Sequence, residues 1–138
     1  MTRPPVQRAF SGAPWEAQVG YCRALRTGDR VFVTGTAPVA EGGGVHAPGD
    51  AYAQTVRCLH IMQQALTEVG AAMSDVTRTR MFVTDIERWE EYGRAHAEVF
   101  AAHPPTTTMV EVRRLIDPDM LIEIEADAVV ASAGSPTD

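Results

Sequence analysis

The segment "LIEIEADAVV" near the end of the chain restricts the fold more than any other stretch. Its residues alternate, so that a strand places every second side chain on the same side. One side is apolar throughout, and the other mixes apolar and acidic residues. The apolar set is Ile122, Ile124, Ala126, Ala128 and Val130, and the mixed set is Leu121, Glu123, Glu125, Asp127 and Val129. This pattern predicts a strand with one face in the core and a second face that something else must cover.

Two segments have the pattern of amphipathic helices. In "DAYAQTVRCLHIMQQALTEVG" Asp50 is suited to the N-cap and Gly70 to the C-terminal stop. A second helix is expected from Trp89 to about residue 102, because Pro104 disfavours helical geometry in the residue before it. The apolar stripe of the first helix comprises Tyr52, Val56, Leu59, Met62, Leu66 and Val69.

The remaining regular segments read as strands. "GYCRALRTG" and "DRVFVTGTAPV" form an expected hairpin that turns at Gly28 and Asp29, and "VTRTRMFVTDI" alternates. "TTTMVEVRRL" and "LIEIEADAVV" are predicted to form the last pair, joined by a turn at "IDPD". The fold class is therefore α+β, a mostly antiparallel six-stranded sheet with two helices on one face. Five of the strands are located by these segments, and the uncovered face favours oligomerisation.

Length and charge narrow the class of protein. The 138 residues fit one domain over 1–138, with flexible ends expected at about 1–10 and 132–138. A net charge of -6 argues against a nucleic-acid partner, which usually meets a basic surface. No stretch has the pattern of a signal peptide or a membrane span, so a cytoplasmic location is expected, without a membrane partner. Cys22 and Cys58 have no metal-site or redox spacing.

The acidic row formed by Glu123, Glu125 and Asp127 has two readings. A solvated face with ion pairs, in which Arg113 pairs with a carboxylate across the last hairpin, is favoured by the pattern alone. The alternative is a shielded carboxylate with a raised pKa that serves as a general base. The histidines His46, His60, His96 and His103 lack ligand spacing, so no metal is expected.

The segments "GYCRALRTGDRVFVTGTAPV", "VTRTRMFVTDIERW", "PTTTMVEVRRL" and "LIEIEADAVV" together resemble the RidA family, also called the YjgF or L-PSP endoribonuclease family. The resemblance covers about residues 20–130. It implies a fold like that of trimeric chorismate mutase and a homotrimer with small-molecule clefts between subunits. It also implies hydrolysis of reactive enamines and imines, such as 2-aminoacrylate, without metal or organic cofactor.

The resemblance assigns site residues one by one. Glu123 matches the glutamate that holds the attacking water, and Tyr21 matches a tyrosine that lines the cleft. Thr34 and Gly35 match a serine–glycine pair, and the backbone segment after that pair contributes hydrogen bonds to the ligand. The other matches are substitutions: Thr107 for the arginine that grips the substrate carboxylate, Met109 for a cysteine and Gly93 for a cleft asparagine.

The replacement of arginine by Thr107 decides the functional expectation. A hydroxyl offers one neutral hydrogen bond, whereas a guanidinium supplies charge and a planar fork. We therefore expect a poor 2-aminoacrylate deaminase, with Thr107 pointing at the ligand. Arg23 is a candidate substitute for the arginine, whereas Arg80 and Arg113 are expected to form structural ion pairs.

Three functions remain open. The first is a deaminase-like hydrolase of an imine, enamine or amide, which acts through Glu123. The second is a non-catalytic trimer that binds a small metabolite. The third is an endoribonuclease, as in the family's older name, and the acidic net charge counts against it.

Overall fold

The computed structural model describes residues 5–131, which form one six-stranded sheet with three helices in that range. The strands are β1 (Val6–Ala9), β2 (Ala24–Thr27), β3 (Arg30–Thr36), β4 (Val76–Val83), β5 (Thr106–Glu111) and β6 (Ile122–Val129). The helices are α1 (Pro14–Val19), α2 (Ala51–Glu68) and α3 (Trp89–Phe100), with 3-10 turns at Met73–Asp75 and Ile86–Arg88. The spatial order of the strands is β1-β2-β3-β6-β4-β5.

Strand β6 lies in the middle of the sheet and confirms the expected alternation. It pairs with β3 on one side and β4 on the other, antiparallel to both. Ile122 and Ile124 are fully buried on the face that carries the helices, and Glu123 is partly exposed on the opposite face. The apolar side of β6 therefore forms the centre of the core.

Helices α2 and α3 begin and end close to the predicted positions. The Asp50 carboxylate accepts a hydrogen bond of 2.9 Å from the Ala53 amide, which satisfies one free donor of the first turn. Leu59, Met62 and Leu66 are buried as expected. Val56 departs from the predicted stripe and is 43% exposed, because the buried side of α2 here passes through Thr55 and Cys58 instead. The hairpin turn between β2 and β3 also forms as predicted, with Gly28 at φ 64°.

The expected pairing of the last two strands is wrong. β5 pairs with β4 in parallel at one edge of the sheet, and β4 separates it from β6. The prediction followed the tendency of consecutive strands to pair, and β5 and β6 do not follow this tendency. The burial explains the arrangement, because most of β5 is exposed and suits an edge, whereas β6 has a wholly apolar side and takes the centre.

The predicted ion pair of Arg113 is wrong for the same reason. Arg113 follows the end of β5, two strands away from β6. Arg80 on the adjacent strand β4 takes that place, with its Nη1 3.2 Å from a Glu125 oxygen and 3.7 Å from an Asp127 oxygen. The expectation that Arg80 forms a structural ion pair is thus confirmed.

The start of the chain is also more ordered than expected. Residues 6–9 lie within the expected flexible end but form β1, an edge strand that pairs antiparallel with β2. Helix α1 was not predicted, because six residues carry too little periodicity to be recognised. The remaining parts of the expected flexible ends, residues 1–4 and 132–138, lie outside the described range. Within residues 5–131, no helix combines the length and the apolar character needed to cross a bilayer.

Candidate functional site

Glu123 lies where β6 passes the bulged end of β3. The two strands shift register between Val33 and Thr36, and this irregularity contains Gly35. A Cβ atom at residue 35 would lie 2.8 Å from Oε2 of Glu123, closer than real Cβ atoms approach another heavy atom. Gly35 therefore leaves the space that the Glu123 carboxylate occupies.

The Glu123 carboxylate has no hydrogen-bond donor within the described part of the chain. Among residues 5–131 no side chain or backbone amide donates a hydrogen bond to it, although the residue is partly buried. Burial raises the pKa of Glu123, the Arg23 charge opposes that rise and the Glu125 charge adds to it. A carboxylate in this environment is a stronger base than an exposed one and can take a proton from a water molecule.

A buried ion pair supports the backbone beside Glu123. Arg23 and Glu16 are about 95% buried, and Nη2 of Arg23 lies 2.9 Å from Oε2 of Glu16. The Nε atom donates to the same oxygen at 3.0 Å, and Nη1 donates to the Gly35 carbonyl at 2.8 Å. Arg23 thus connects helix α1 to the glycine that faces the Glu123 carboxylate.

The charge of Glu16 is maintained by its hydrogen bonds. Burial alone would raise the pKa of Glu16, but hydrogen bonds from Ser11 and Arg23 and the Arg23 charge hold it below its ordinary value. Glu16 therefore stays ionised and compensates the Arg23 charge. The Arg23 guanidinium also lies 5.6 Å from the centre of the Tyr21 ring, within the range of a cation–π contact.

These groups surround a cleft of about 1200 Å³. Its wall contains Tyr21, Arg23, Gly35 and Glu123, together with Trp15 and Arg57. Arg57 is partly buried, and its Nε donates to the Val39 carbonyl at 2.7 Å. Sequence reasoning missed Arg57 and the ion pair of Glu16, because neither lies in a recognisable motif. Only the folded chain brings Arg57 to the cleft wall and Glu16 to Arg23.

Thr34 lies just outside this cleft. Its hydroxyl donates to the Cys22 carbonyl at 2.8 Å, and its amide donates to the Arg23 carbonyl at 2.9 Å. It lines a smaller depression on the other side of Tyr21. Thr34 therefore holds the segment containing Tyr21 against β3.

The other three assigned residues lie apart from Glu123. Thr107 and Met109 are on β5, and Gly93 is on α3; none of them lines the cleft. Thr107 pairs in register with the buried Thr79, whose hydroxyl contacts His96 of α3. Thr107 thus faces the helix side of the sheet, whereas Glu123 lies on the opposite side. Within one protomer, four of the assigned residues meet at the cleft: Tyr21, Arg23, Gly35 and Glu123. The other three lie away from it: Gly93, Thr107 and Met109.

The part of the chain described contains no group of three or more His, Cys, Asp or Glu side chains that could hold a metal ion. Both cysteines are free thiols, with Cys58 buried and Cys22 partly exposed. The polar side chains that line the cleft are three carboxylates, two guanidinium groups, two amides, a phenol and three hydroxyls, and the carboxylate beside Gly35 is that of Glu123.

A mostly antiparallel six-stranded sheet backed by helices is the fold of the YjgF/RidA class. The chain belongs to the endoribonuclease L-PSP family, whose model matches residues 11–130. It is 37% identical over 128 residues to the Streptomyces coelicolor protein SCO2049, covering 93% of this chain and 95% of that protein.

Two further comparisons bear on fold and chemistry. The crystal structure of Rv2704 from Mycobacterium tuberculosis, a member of the YjgF/YER057c/UK114 family, superposes with a TM-score of 0.83 at 44% identity. The match covers 91% of this chain and 100% of that one. The 3-aminoacrylate deaminase RutC of Acinetobacter baylyi is 34% identical over 110 residues, covering 80% of this chain and 86% of the deaminase. The family resemblance seen in the sequence is thus confirmed.

Proposed function

We propose that this protein is a deaminase-like hydrolase that acts on a C=N or C–N bond of a small molecule, with Glu123 as the general base. The observation that carries the proposal is the partly buried Glu123 carboxylate beside Gly35, which receives no hydrogen bond from the described residues and whose oxygens reach solvent. The similarity to a 3-aminoacrylate deaminase supports the reaction class. No metal or organic cofactor is part of the proposal.

The reaction follows from the position of this carboxylate. Glu123 takes a proton from a bound water while the water oxygen forms a bond to the imine carbon. Glu123 returns this proton to the imine nitrogen, which gives a neutral carbinolamine. The carboxylate then takes the hydroxyl proton and delivers it to the nitrogen, so that ammonia leaves as the carbonyl forms. Tyr21 lines the cleft beside the ligand, and Arg23 holds the Gly35 carbonyl in place.

We propose that the complete site forms between subunits of a homotrimer. Glu123 and Tyr21 lie at one cleft, whereas Thr107, Met109 and Gly93 lie at another surface. β5, which carries Thr107, is an edge strand that is exposed over most of its length. A neighbouring subunit that placed this edge against the cleft would join the two sets of residues.

Thr107 limits the substrates of such a site. It has no charge to balance a carboxylate, so 2-aminoacrylate would lose a charge-assisted contact worth about 1.5–3 kcal/mol. We therefore propose a substrate that is uncharged at this end. If the substrate bears an anion, Arg57 is the guanidinium in the cleft wall that is not paired with a carboxylate among residues 5–131.

Ammonia release provides the test. The wild-type protein is incubated with a panel of imines made by amino-acid oxidases and with small amides, and ammonia is measured against Glu123→Ala. We expect release from at least one substrate and a loss of two orders of magnitude or more in the variant, the usual range for a general base. Glu90→Ala is the matched control, because Glu90 is an exposed glutamate on α3 that does not line the cleft.

Two outcomes would contradict the proposal. If release is equal in the wild type and Glu123→Ala, the carboxylate is not the base. If no substrate of the panel releases ammonia, the result favours the alternative of a non-catalytic trimer that binds a metabolite. Cleavage of RNA that is lost in Glu123→Ala would instead support the endoribonuclease of the family's older name, against the net charge of -6.

A further inference from the structure

Thr107 is connected to a buried histidine through one intermediate residue. Its Oγ1 lies 2.7 Å from Oγ1 of Thr79, which lies 2.8 Å from Nε2 of His96. Thr79 is fully buried, His96 is 9% exposed and Thr107 is exposed. The three groups form a continuous line of hydrogen bonds from the surface of β5 to the interior between β4 and α3.

The two hydrogen bonds of this line share the Thr79 hydroxyl, so the direction of one fixes the direction of the other. Each hydroxyl donates one hydrogen, so Thr79 can donate to His96 or to Thr107 but not to both. If Nε2 of His96 carries a proton, it donates to Thr79, Thr79 donates to Thr107, and the Thr107 hydrogen is free for a ligand. If Nε2 carries none, both hydroxyls donate inward and Thr107 offers only lone pairs to the outside.

The surroundings keep His96 in one place and neutral. Its ring packs against Phe100 with centroids 4.5 Å apart. Burial lowers the pKa of His96, so the ring carries a single proton at neutral pH. The tautomer of His96 then decides which hydrogen-bonding role Thr107 presents.

We propose that Thr107, Thr79 and His96 act as one relay that presents the Thr107 hydroxyl to an uncharged hydrogen-bonding group of the ligand, such as a carbonyl, amide or imine. His96 is a positioning residue in this relay, because it acts through Thr79. The ligand part of the inference rests on the proposed function, since Thr107 must border the cleft of a neighbouring subunit. In such a site the Thr107 hydroxyl makes the contact that the family resemblance assigns to a guanidinium.

The relay is tested by ¹⁵N NMR of histidine-labelled protein at neutral pH, which reports the tautomer of each ring. Thr107→Val removes one end of the line and should shift the His96 nitrogen signals. Thr108→Val removes a neighbouring exposed hydroxyl that has no place in the line and should leave them unchanged. Thr79→Val should shift them and make them insensitive to a second Thr107→Val change, whereas Thr79→Ser should retain the wild-type response.

The contact between Thr107 and the ligand is tested separately, by steady-state kinetics. With any substrate that releases ammonia, Thr79→Val should lower kcat/KM about tenfold, the cost of one neutral hydrogen bond. Thr79→Ser should recover most of it. Thr107→Val should have a similar effect, with little further loss in the double variant.

The outcomes separate the two proposals. If the His96 signals are the same in the wild type and Thr107→Val, the relay is overturned whatever the activity. If they shift but no Glu123-dependent reaction exists, the relay stands as a feature of the fold and the proposed function fails. If turnover depends on Glu123 but not on Thr79, the ligand part of the relay is overturned.

Discussion

The space beside residue 35 holds the Glu123 side chain and has no room for a second side chain. The missing Cβ of residue 35 would lie 2.8 Å from the carboxylate oxygen and 3.1 Å from the carboxylate carbon. The atoms in the way are the end of a flexible side chain, which can rotate aside. Adding a methyl group at residue 35 should therefore disturb the position of the carboxylate more than it disturbs the fold.

Gly35→Ala is expected to reduce Glu123-dependent activity by roughly two orders of magnitude, the effect of a displacement of about 1 Å in a catalytic group. The free energy of unfolding should change by less than about 1 kcal/mol, because the side chain can move. Kinetics and chemical denaturation measure the two effects.

Glu123→Ala provides the partner for a double-mutant cycle. The stability cost of Gly35→Ala should disappear in the Glu123→Ala background, where the obstructing atoms are gone. Gly93→Ala is the control for stability, since it adds the same methyl group to a helix with no contact closer than 4.0 Å and should raise the melting temperature. A Gly35→Ala variant with unchanged activity would show that this carboxylate is not held as we describe.

At the level of elements, the Glu16–Arg23 pair joins α1 to the β2–β3 hairpin. Both partners are almost completely buried, and the pair also fixes the Gly35 carbonyl. A buried pair adds little net stability compared with apolar residues, but loss of one partner leaves an uncompensated charge. The short helix α1 therefore depends on this contact for its position.

Glu16→Gln is expected to lower the free energy of unfolding by on the order of 3 kcal/mol near pH 7. The pKa of Glu16 is lowered in the folded state, so its ionisation stabilises the protein above the ordinary value of 4.5, and this contribution is lost as the pH falls through the folded pKa. The variant should therefore lose part of the acid dependence of stability. Urea denaturation between pH 3 and pH 7 measures both effects.

Glu91→Gln is the matched control, because Glu91 pairs with Arg88 within three residues on an exposed part of α3. Its denaturation midpoint should stay close to that of the wild type at pH 7. Equal midpoints for Glu16→Gln and the wild type would contradict the structural role of the buried pair.

Helices and strands in which apolar residues recur at a regular spacing were predictable from the sequence. Elements whose position depends on pairing with a distant strand were not. The alternation of β6 and the stripe of α2 reflect burial within one element, so the sequence carries them directly. The edge position of β5 depends on which strand β6 joins, and the local sequence does not encode that choice. β1 and α1 escaped recognition because four and six residues are too short for a period.

At the scale of the molecule, helices α2 and α3 of residues 5–131 lie on one face of the sheet, and the opposite face carries exposed apolar side chains. Phe32 and Val129 on this face are 48% and 47% exposed, beside the ion pairs of Arg80. An exposed apolar surface of this kind is typical of a subunit interface. We expect a homotrimer in which this face is covered.

Size-exclusion chromatography with light scattering should give about three chain masses for the wild type. Phe32→Lys should shift the population toward monomer, because burying a lysine at an interface is unfavourable. Within the protomer this lysine lies opposite Asp127, so the fold should tolerate it. Val56→Lys on the exposed side of α2 should remain trimeric, and a wild-type monomer at micromolar concentration would contradict the shared site.

The candidate site was predictable only in part. The sequence and its family resemblance picked out Glu123, Gly35 and Tyr21, which meet at one cleft. The place of Thr107 on the helix side of β5 and its line to His96 depend on the parallel register with β4, which was not foreseen. The role of Glu16 was also hidden, since it depends on how α1 packs.

We propose that Glu123 holds the attacking water and that Thr107 stands where the family resemblance implies an arginine. The most direct measurement is kcat/KM for 2-iminopropionate in the wild type, Thr107→Arg and Thr107→Arg/Glu123→Ala. We expect low activity in the wild type, a gain of roughly tenfold or more with the restored charge, and loss of that gain without Glu123. Efficient wild-type turnover, or a Thr107→Arg variant no faster than the wild type, would contradict the account.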